Sequence, residues 1–232
     1  MDRETAASAE RRSFLSRLNL GLASLAAVAG GAMAQETPTA AARWEPARHA
    51  KDDWLEKAAA KHRLVFDTTA MEGAGEALAF AENFYRVNQT DYGVENGDLA
   101  VVIVLRHRSA AFGFNDAMWA KYGATLAARS KVEDPKTGKA PTANLYTAAG
   151  RGEALPNRGV TLDALAKQGA QFGVCGLSTR AFAASIAHAA GSTTEAILAE
   201  LSGNLIGNGR LVPAGIVAVS RAQERGYTLV TC

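Results

Sequence analysis

The chain has 232 residues, 48% of them hydrophobic and 21% charged, with 22 glycines, two cysteines and a formal net charge of +2. These totals fit one or two ordinary globular domains and argue against a collagen, a disordered polyelectrolyte or a disulfide-stapled miniprotein. The near balance of 25 basic and 23 acidic residues is not that of a protein built to neutralise phosphates, so nucleic acid is not an expected partner.

The N-terminus reads as an export signal. Glu10-Arg11-Arg12-Ser13-Phe14-Leu15 precedes an uncharged run from Leu18 to Ala29, which ends in Gly30-Gly31-Ala32-Met33-Ala34. A charged leader, an apolar run too short to span a bilayer and a small-residue ending make a signal peptide over residues 1–34. The Arg11-Arg12 pair with Phe14-Leu15 resembles the twin-arginine motif, so the export machinery of that route is an expected partner. Cleavage after Ala34 leaves 21 basic and 20 acidic residues. No later stretch reaches membrane-spanning length, so the mature protein is expected in the periplasm with no stable membrane span.

Residues 35–60 read as a linker or N-terminal arm, rich in Ala, Thr, Pro and Arg with no sustained period. The domain proper is expected over residues 61–232. His62 to Asp67 is a short apolar strand. Gly73-Ala74-Gly75 lacks the third glycine of a dinucleotide loop and reads as a tight turn before a helix from Glu76 to Val87. Phe80, Phe84 and Tyr85 of that helix are expected in the core.

Asp98 to Leu105 is continuously apolar and β-branched, as for a strand covered on both faces. Asn115 or Asp116 caps a helix reaching about Tyr122, whose Asp116, Met118, Trp119 and Tyr122 read as core or as a subunit contact. Residues from about 129 to 159 break the rhythm and read as an insertion, either a functional cover or a mobile loop. Their Glu133-Asp134 pair reads as solvated.

Beyond the insertion, Thr161 to Lys167 is a short helix, Ala170 to Val174 a strand, and Ser178 to Ala190 a helix. Ser192-Thr193-Thr194-Glu195 is a capping box for a further helix ending near Leu201. Arg210-Leu211-Val212 is a strand before Pro213 and a helix that Gly226 ends, and Tyr227 to Thr231 is the last strand. This alternation predicts an α/β fold, an open, mostly parallel five-stranded sheet with helices on both faces.

Ligands of such sheets gather beyond the carboxyl ends of the strands. Cys175 stands there, between a strand end and a helix start, where N–H groups and the helix dipole stabilise a thiolate. Arg106, Arg108 and Arg180 are sources of an added positive charge, with Arg106 and Arg180 the preferred anion-stabilising residues. His107 reads as a base or substrate-orienting group, or as a structural residue. The plain alternative for Cys175 is a small buried apolar residue. Cys175 and Cys232 are either a disulfide or two independent thiols. Histidines 49, 62, 107 and 188 show no metal-ligand spacing with the cysteines, and no Gly-Lys-Ser/Thr or Gly-x-Ser-x-Gly motif occurs, so neither a metal nor a cofactor is expected.

The run Gly169-Ala170-Gln171-Phe172-Gly173-Val174-Cys175, and later Asn204-Leu205 with Gly209-Arg210-Leu211-Val212-Pro213-Ala214-Gly215, resembles the DsrE/DsrF-like family of small sulfur-relay proteins. Arg106-His107 with Phe114-Asn115-Asp116 and Trp119 is similar to an exported branch of it, and the resemblance spans roughly Arg63 to Val230. It implies a five-stranded layered fold, with flavodoxin-like layering, that assembles into homo-oligomers. It also implies a persulfide on Cys175, exchanged with a sulfur donor or acceptor protein. Gly176 to Arg180 and the export signal depart from the cytoplasmic members. The alternative from another class is a non-catalytic binding or assembly module with a structural cysteine.

Overall fold

The computed structural model describes residues 45–57, 60–147 and 155–232. The signal-peptide reading of residues 1–34 lies outside them, as do residues 35–44 of the arm. Five strands form the sheet: β1 (His62–Thr68), β2 (Leu99–Leu105), β3 (Gln171–Cys175), β4 (Gly209–Val212) and β5 (Thr228–Thr231). All pairings are parallel and the spatial order is β4-β3-β2-β1-β5. Among the described residues six α-helices accompany them: α1 (Met71–Tyr92), α2 (Asp116–Ser130), α3 (Leu162–Gln168), α4 (Gly176–Ala190), α5 (Thr194–Ser202) and α6 (Gly215–Gln223). The expected α/β class with an open parallel sheet is the observed one.

Alternation along β2 shows how the layers are built. Leu99, Val101, Ile103 and Leu105 enter one core with residues of α1 to α5, while Ala100, Val102 and Val104 enter a second with α6 and Leu55. Every β2 residue is buried, the reason for its unbroken apolar sequence. The helix distribution follows from connection handedness. Crossovers from β1 to β4 step in one direction across the sheet, whereas α6 returns from β4 to β5 at the far edge. Right-handed connections running in opposite directions place their helices on opposite faces.

Several boundaries differ from the sequence reading. The compact unit begins at Pro46: a 3-10 helix, Ala50–Leu55, carries fully buried Leu55 and brings Trp54 against Gly173. Gly73 to Gly75 form no turn but the first helical turn of α1. A Cβ at Gly73 would collide with the Cys232 backbone, and one at Gly75 would lie 2.6 Å from the Tyr146 hydroxyl; the glycines serve close approach. Phe80 is 44% exposed, while Tyr85 is core and Phe84 packs at its margin.

The segment after α2 also departs from expectation, since its described residues 131–147 are anchored in the core. Leu145 and Tyr146 are buried, and the Tyr146 ring packs tilted against Phe112, their centroids 4.7 Å apart. Buried Asn144 donates to the Phe112 and Phe114 carbonyls and accepts from the Tyr146 N–H. An amide with every role filled is a structural anchor, which is why this irregular stretch holds one path. Asp134, expected in solvent, is buried and accepts from the Lys136 N–H. Met118 and Trp119 are core. Among the described residues, no helix is long and apolar enough to cross a membrane.

Candidate functional site

Because the strands are parallel, Thr68, Leu105, Cys175, Val212 and Thr231 end at one edge of the sheet. Beyond β3 the chain turns into α4 on one face, and beyond neighbouring β4 it turns into α6 on the other. Adjacent strands whose connections leave to opposite faces open a crevice between two helix N-termini, the usual ligand position of open α/β sheets. Cys175 ends β3 at that crevice, pairs in register with Val212 and is 6% exposed.

Two glycines permit the convergence. A Cβ at Gly176 would lie 2.9 Å from the Val212 carbonyl oxygen, and one at Gly215 would lie 2.6 Å from Arg106 Cβ. Both helix starts are thereby drawn in around the sulfur. Burial pushes the Cys175 thiol up, but the Ser178 hydroxyl and the N–H groups of Gly215, Ser178 and Leu177 outweigh it and hold the thiol below its ordinary value. These donors surround the sulfur without closing a side-chain capping hydrogen bond of ordinary geometry at the start of α4. Two helix dipoles from opposite faces thus favour a thiolate at one atom. Thr179 fixes the turn by donating to the Cys175 carbonyl at 2.9 Å.

Arg106 follows β2, beside β3, as the sequence reading required. Its guanidinium grips Asp67 on β1 through two hydrogen bonds, Nε to Oδ1 at 2.6 Å and Nη2 to Oδ2 at 2.8 Å. The Asp67 hydrogen bonds hold Arg106 more firmly protonated than usual, against partial burial, and the Cys175 charge adds a smaller contribution of the same sign. Carboxylate, guanidinium and thiol therefore follow one another across β1, β2 and β3. Arg106 lends the sulfur a fixed positive field while remaining tied to Asp67.

His107 contributes through its backbone. Ser109 Oγ shares its one proton between the Thr68 and Arg106 carbonyls and accepts from the Arg106 N–H. This tight turn carries His107 at φ 56°, a left-handed conformation that histidine enters more readily than most residues. Its N–H then donates to Ser178 Oγ at 2.8 Å, aligning the hydroxyl that serves the sulfur. The exposed imidazole lines an adjoining cleft of about 480 Å³ with Arg108, Arg129, Lys131, Leu177, Ser178, Ala181 and Phe182.

Arg180 is placed differently. It is 59% exposed and pairs loosely with Glu195 of α5 at 3.9 Å, and it does not line the cleft. Helix periodicity explains this: Arg180 is two positions past Ser178, about 200° round α4, so it faces away from the side that serves the sulfur. The two cysteines are free thiols. Cys232 follows β5, three inter-strand spacings from β3, or about 14 Å, beyond disulfide reach. Burial, then the Glu76 and Asp67 carboxylates, push its thiol up.

Asp67, Ser178 and Gly215 complete the site, although the sequence reading assigned none of them a role there. Ser178 was signalled by its place three residues after a strand-ending cysteine, in the first helical turn. Asp67 and Gly215 depend on which strands become neighbours. No group of three or more His, Cys, Asp and Glu side chains among the described residues is arranged to hold a metal ion.

Comparison with protein-family models finds no match, and a search of curated proteins finds none. Among solved structures, the chain is similar to a protein of unknown function, MTH1491, from Methanobacterium thermoautotrophicum. The two share 14% sequence identity, the match covers 74% of this chain and all of that one, and the TM-score is 0.38.

Proposed function

We propose that Cys175 accepts and passes on sulfane sulfur as a persulfide, as in DsrE/DsrF-like relay proteins. The observation that carries this reading is the convergence of two helix N-termini and the Ser178 hydroxyl on one sulfur, which favours its anionic form. With thiosulfate as donor, the Cys175 thiolate attacks the outer sulfur. The new S–S bond forms as the donor S–S bond breaks, and sulfite leaves with the bonding electron pair. The persulfide anion left on Cys175 keeps one negative charge within the same ring of donors. Export by the twin-arginine route, a periplasmic location and a sulfur donor or acceptor protein belong to this proposal.

Incubation of the reduced protein with thiosulfate or polysulfide is expected to add about 32 Da, mapped to the Cys175 peptide. An unmodified Cys175 beside a modified control relay protein rejects the reading. A second reading has its own support: Leu211 on the edge strand β4 and Ile216 and Val217 in the first turn of α6 are 40%, 58% and 43% exposed. Under it the protein is a homo-oligomeric assembly module. Ile216→Glu then lowers the sedimentation coefficient, while Cys175→Ser leaves oligomeric state and ligand binding unchanged.

A further inference from the structure

We infer that the cleft beside the sulfur is a binding site for an organic anion carrying at least two negative charges on an apolar body. Arg108, Arg129 and Lys131 supply three cations to this cleft, and among the described residues no carboxylate lines it. Arg108 Nε is shielded from solvent with no hydrogen-bond partner. An unpaired buried guanidinium N–H is costly, so Arg108 gains by turning its donor fork toward an anionic oxygen in the cleft. Arg129 donates to Ser185 at 3.1 Å and lies 5.5 Å over the Phe182 ring, with no carboxylate partner among the described residues. Lys131 stands at the rim, shared with a neighbouring groove that also holds Glu72 and Glu133. Arg108 and Arg129 are therefore the inner pair.

The lining that α4 contributes is apolar at Leu177, Ala181 and Phe182, and Leu177 is 66% exposed. A volume of about 480 Å³ lies in the range that accepts a whole organic molecule, far more than an inorganic oxyanion fills. Cations set beside hydrocarbon in one cleft, as Arg129 is over Phe182, select a molecule with both characters. Guanidinium groups pair best with planar or bidentate oxyanions, which points to carboxylates, sulfonates or phosphate esters. Ser178 belongs both to the cleft and to the sulfur's donor ring, so the ligand would lie one side chain away from Cys175.

Calorimetric titration of the full-length chain with naphthalene disulfonate, with naphthalene monosulfonate and inorganic sulfate as controls, tests the assignment. We expect saturable 1:1 binding of the disulfonate, about tenfold or more tighter than either control and weakening with added salt. Arg108→Gln and Lys131→Asn should each weaken it by about fivefold or more. Lys131 ends α2 at φ 58°, a conformation asparagine tolerates well, so Lys131→Asn removes the charge without disturbing the fold. Absence of saturable disulfonate binding, equal affinity for sulfate, or unchanged affinity in Lys131→Asn overturns the inference. Cys175→Ser should keep the disulfonate affinity within about twofold, so a failed persulfide assay and a failed binding assay remain distinct results.

Discussion

Cys175 and Cys232 follow parallel strands and reach the same edge of the sheet, yet their surroundings drive them in opposite directions. Around Cys175, helix starts from both faces bring N–H groups to the sulfur and hold the thiol down. Around Cys232, burial and the Glu76 and Asp67 carboxylates hold it up. A strand-end position is thus insufficient to activate a thiol. What differs is the local topology: Cys175 lies where neighbouring connections diverge to opposite faces, so donors approach from both sides. Arg106 sharpens the contrast by standing between Asp67 and Cys175, shielding one thiol site from the carboxylate that burdens the other.

The largest expected difference is in ionisation. Alkylation by iodoacetamide, followed by peptide mapping across a pH series, should give a rate midpoint below 9.0 for Cys175 and above 9.0 for Cys232. The sign follows from the thiolate being the nucleophile: a lowered thiol pKa moves the onset of reaction to lower pH, and a raised one moves it higher. Coincident midpoints, or the reverse order, would break the comparison. Gly215→Ala comes next. Its Cβ would lie 2.6 Å from Arg106 Cβ and 3.2 Å from Val104 Cγ1, forcing the start of α6 outward at a cost of about 1–3 kcal/mol. The Cys175 midpoint should rise as the Gly215 N–H withdraws, while that of Cys232 stays. Denaturant melts and the same alkylation series measure both effects.

How far this contrast is legible in the sequence depends on the range of each signal. β2 is legible because seven consecutive apolar residues leave few alternatives, and Cys175 because a short apolar strand and a helix start flank it directly. The donor Gly215 is hidden: it is 40 positions downstream, and only the β3–β4 pairing brings it to the sulfur. Asp67 is hidden for the same reason, since its grip on Arg106 requires β1 and β2 to pair in the observed register. Arg180 was misplaced because proximity in sequence ignores the rotation of a helix. The 131–147 stretch reads as an insertion because its anchors, Asn144 and Tyr146, act through individual hydrogen bonds and ring contacts that leave no period.

Ser178→Ala separates the side-chain contribution from the backbone one. The substitution removes the hydroxyl that serves the sulfur and the acceptor of the His107 N–H, but leaves the helix N–H groups in place. One hydrogen bond to a charged group corresponds to about 1.5–3 kcal/mol, so the Cys175 midpoint should rise by about one to two pH units. An unchanged midpoint would assign the whole effect to the two helix starts.

Asp67→Asn gives the smallest effect and tests the other thiol. Asp67 is the weakest of the three causes that raise the Cys232 thiol, after burial and Glu76. Removing its charge should lower the Cys232 midpoint by no more than about half a pH unit, the scale of a single charge acting through a partly solvated medium. The sign is fixed, because a lost neighbouring anion always eases formation of a thiolate. Arg106 stays charged in this variant but loses its bidentate grip on a carboxylate, since an amide offers one acceptor oxygen in place of two, so its guanidinium is freer to turn toward the sulfur. If Arg106 holds its place only because of Asp67, the Cys175 midpoint moves as well; if the Gly215 contact with its stem suffices, only Cys232 responds. Measuring both thiols in one variant therefore tells whether the two ends of the β1–β3 row are coupled through Arg106 or merely share it as a neighbour.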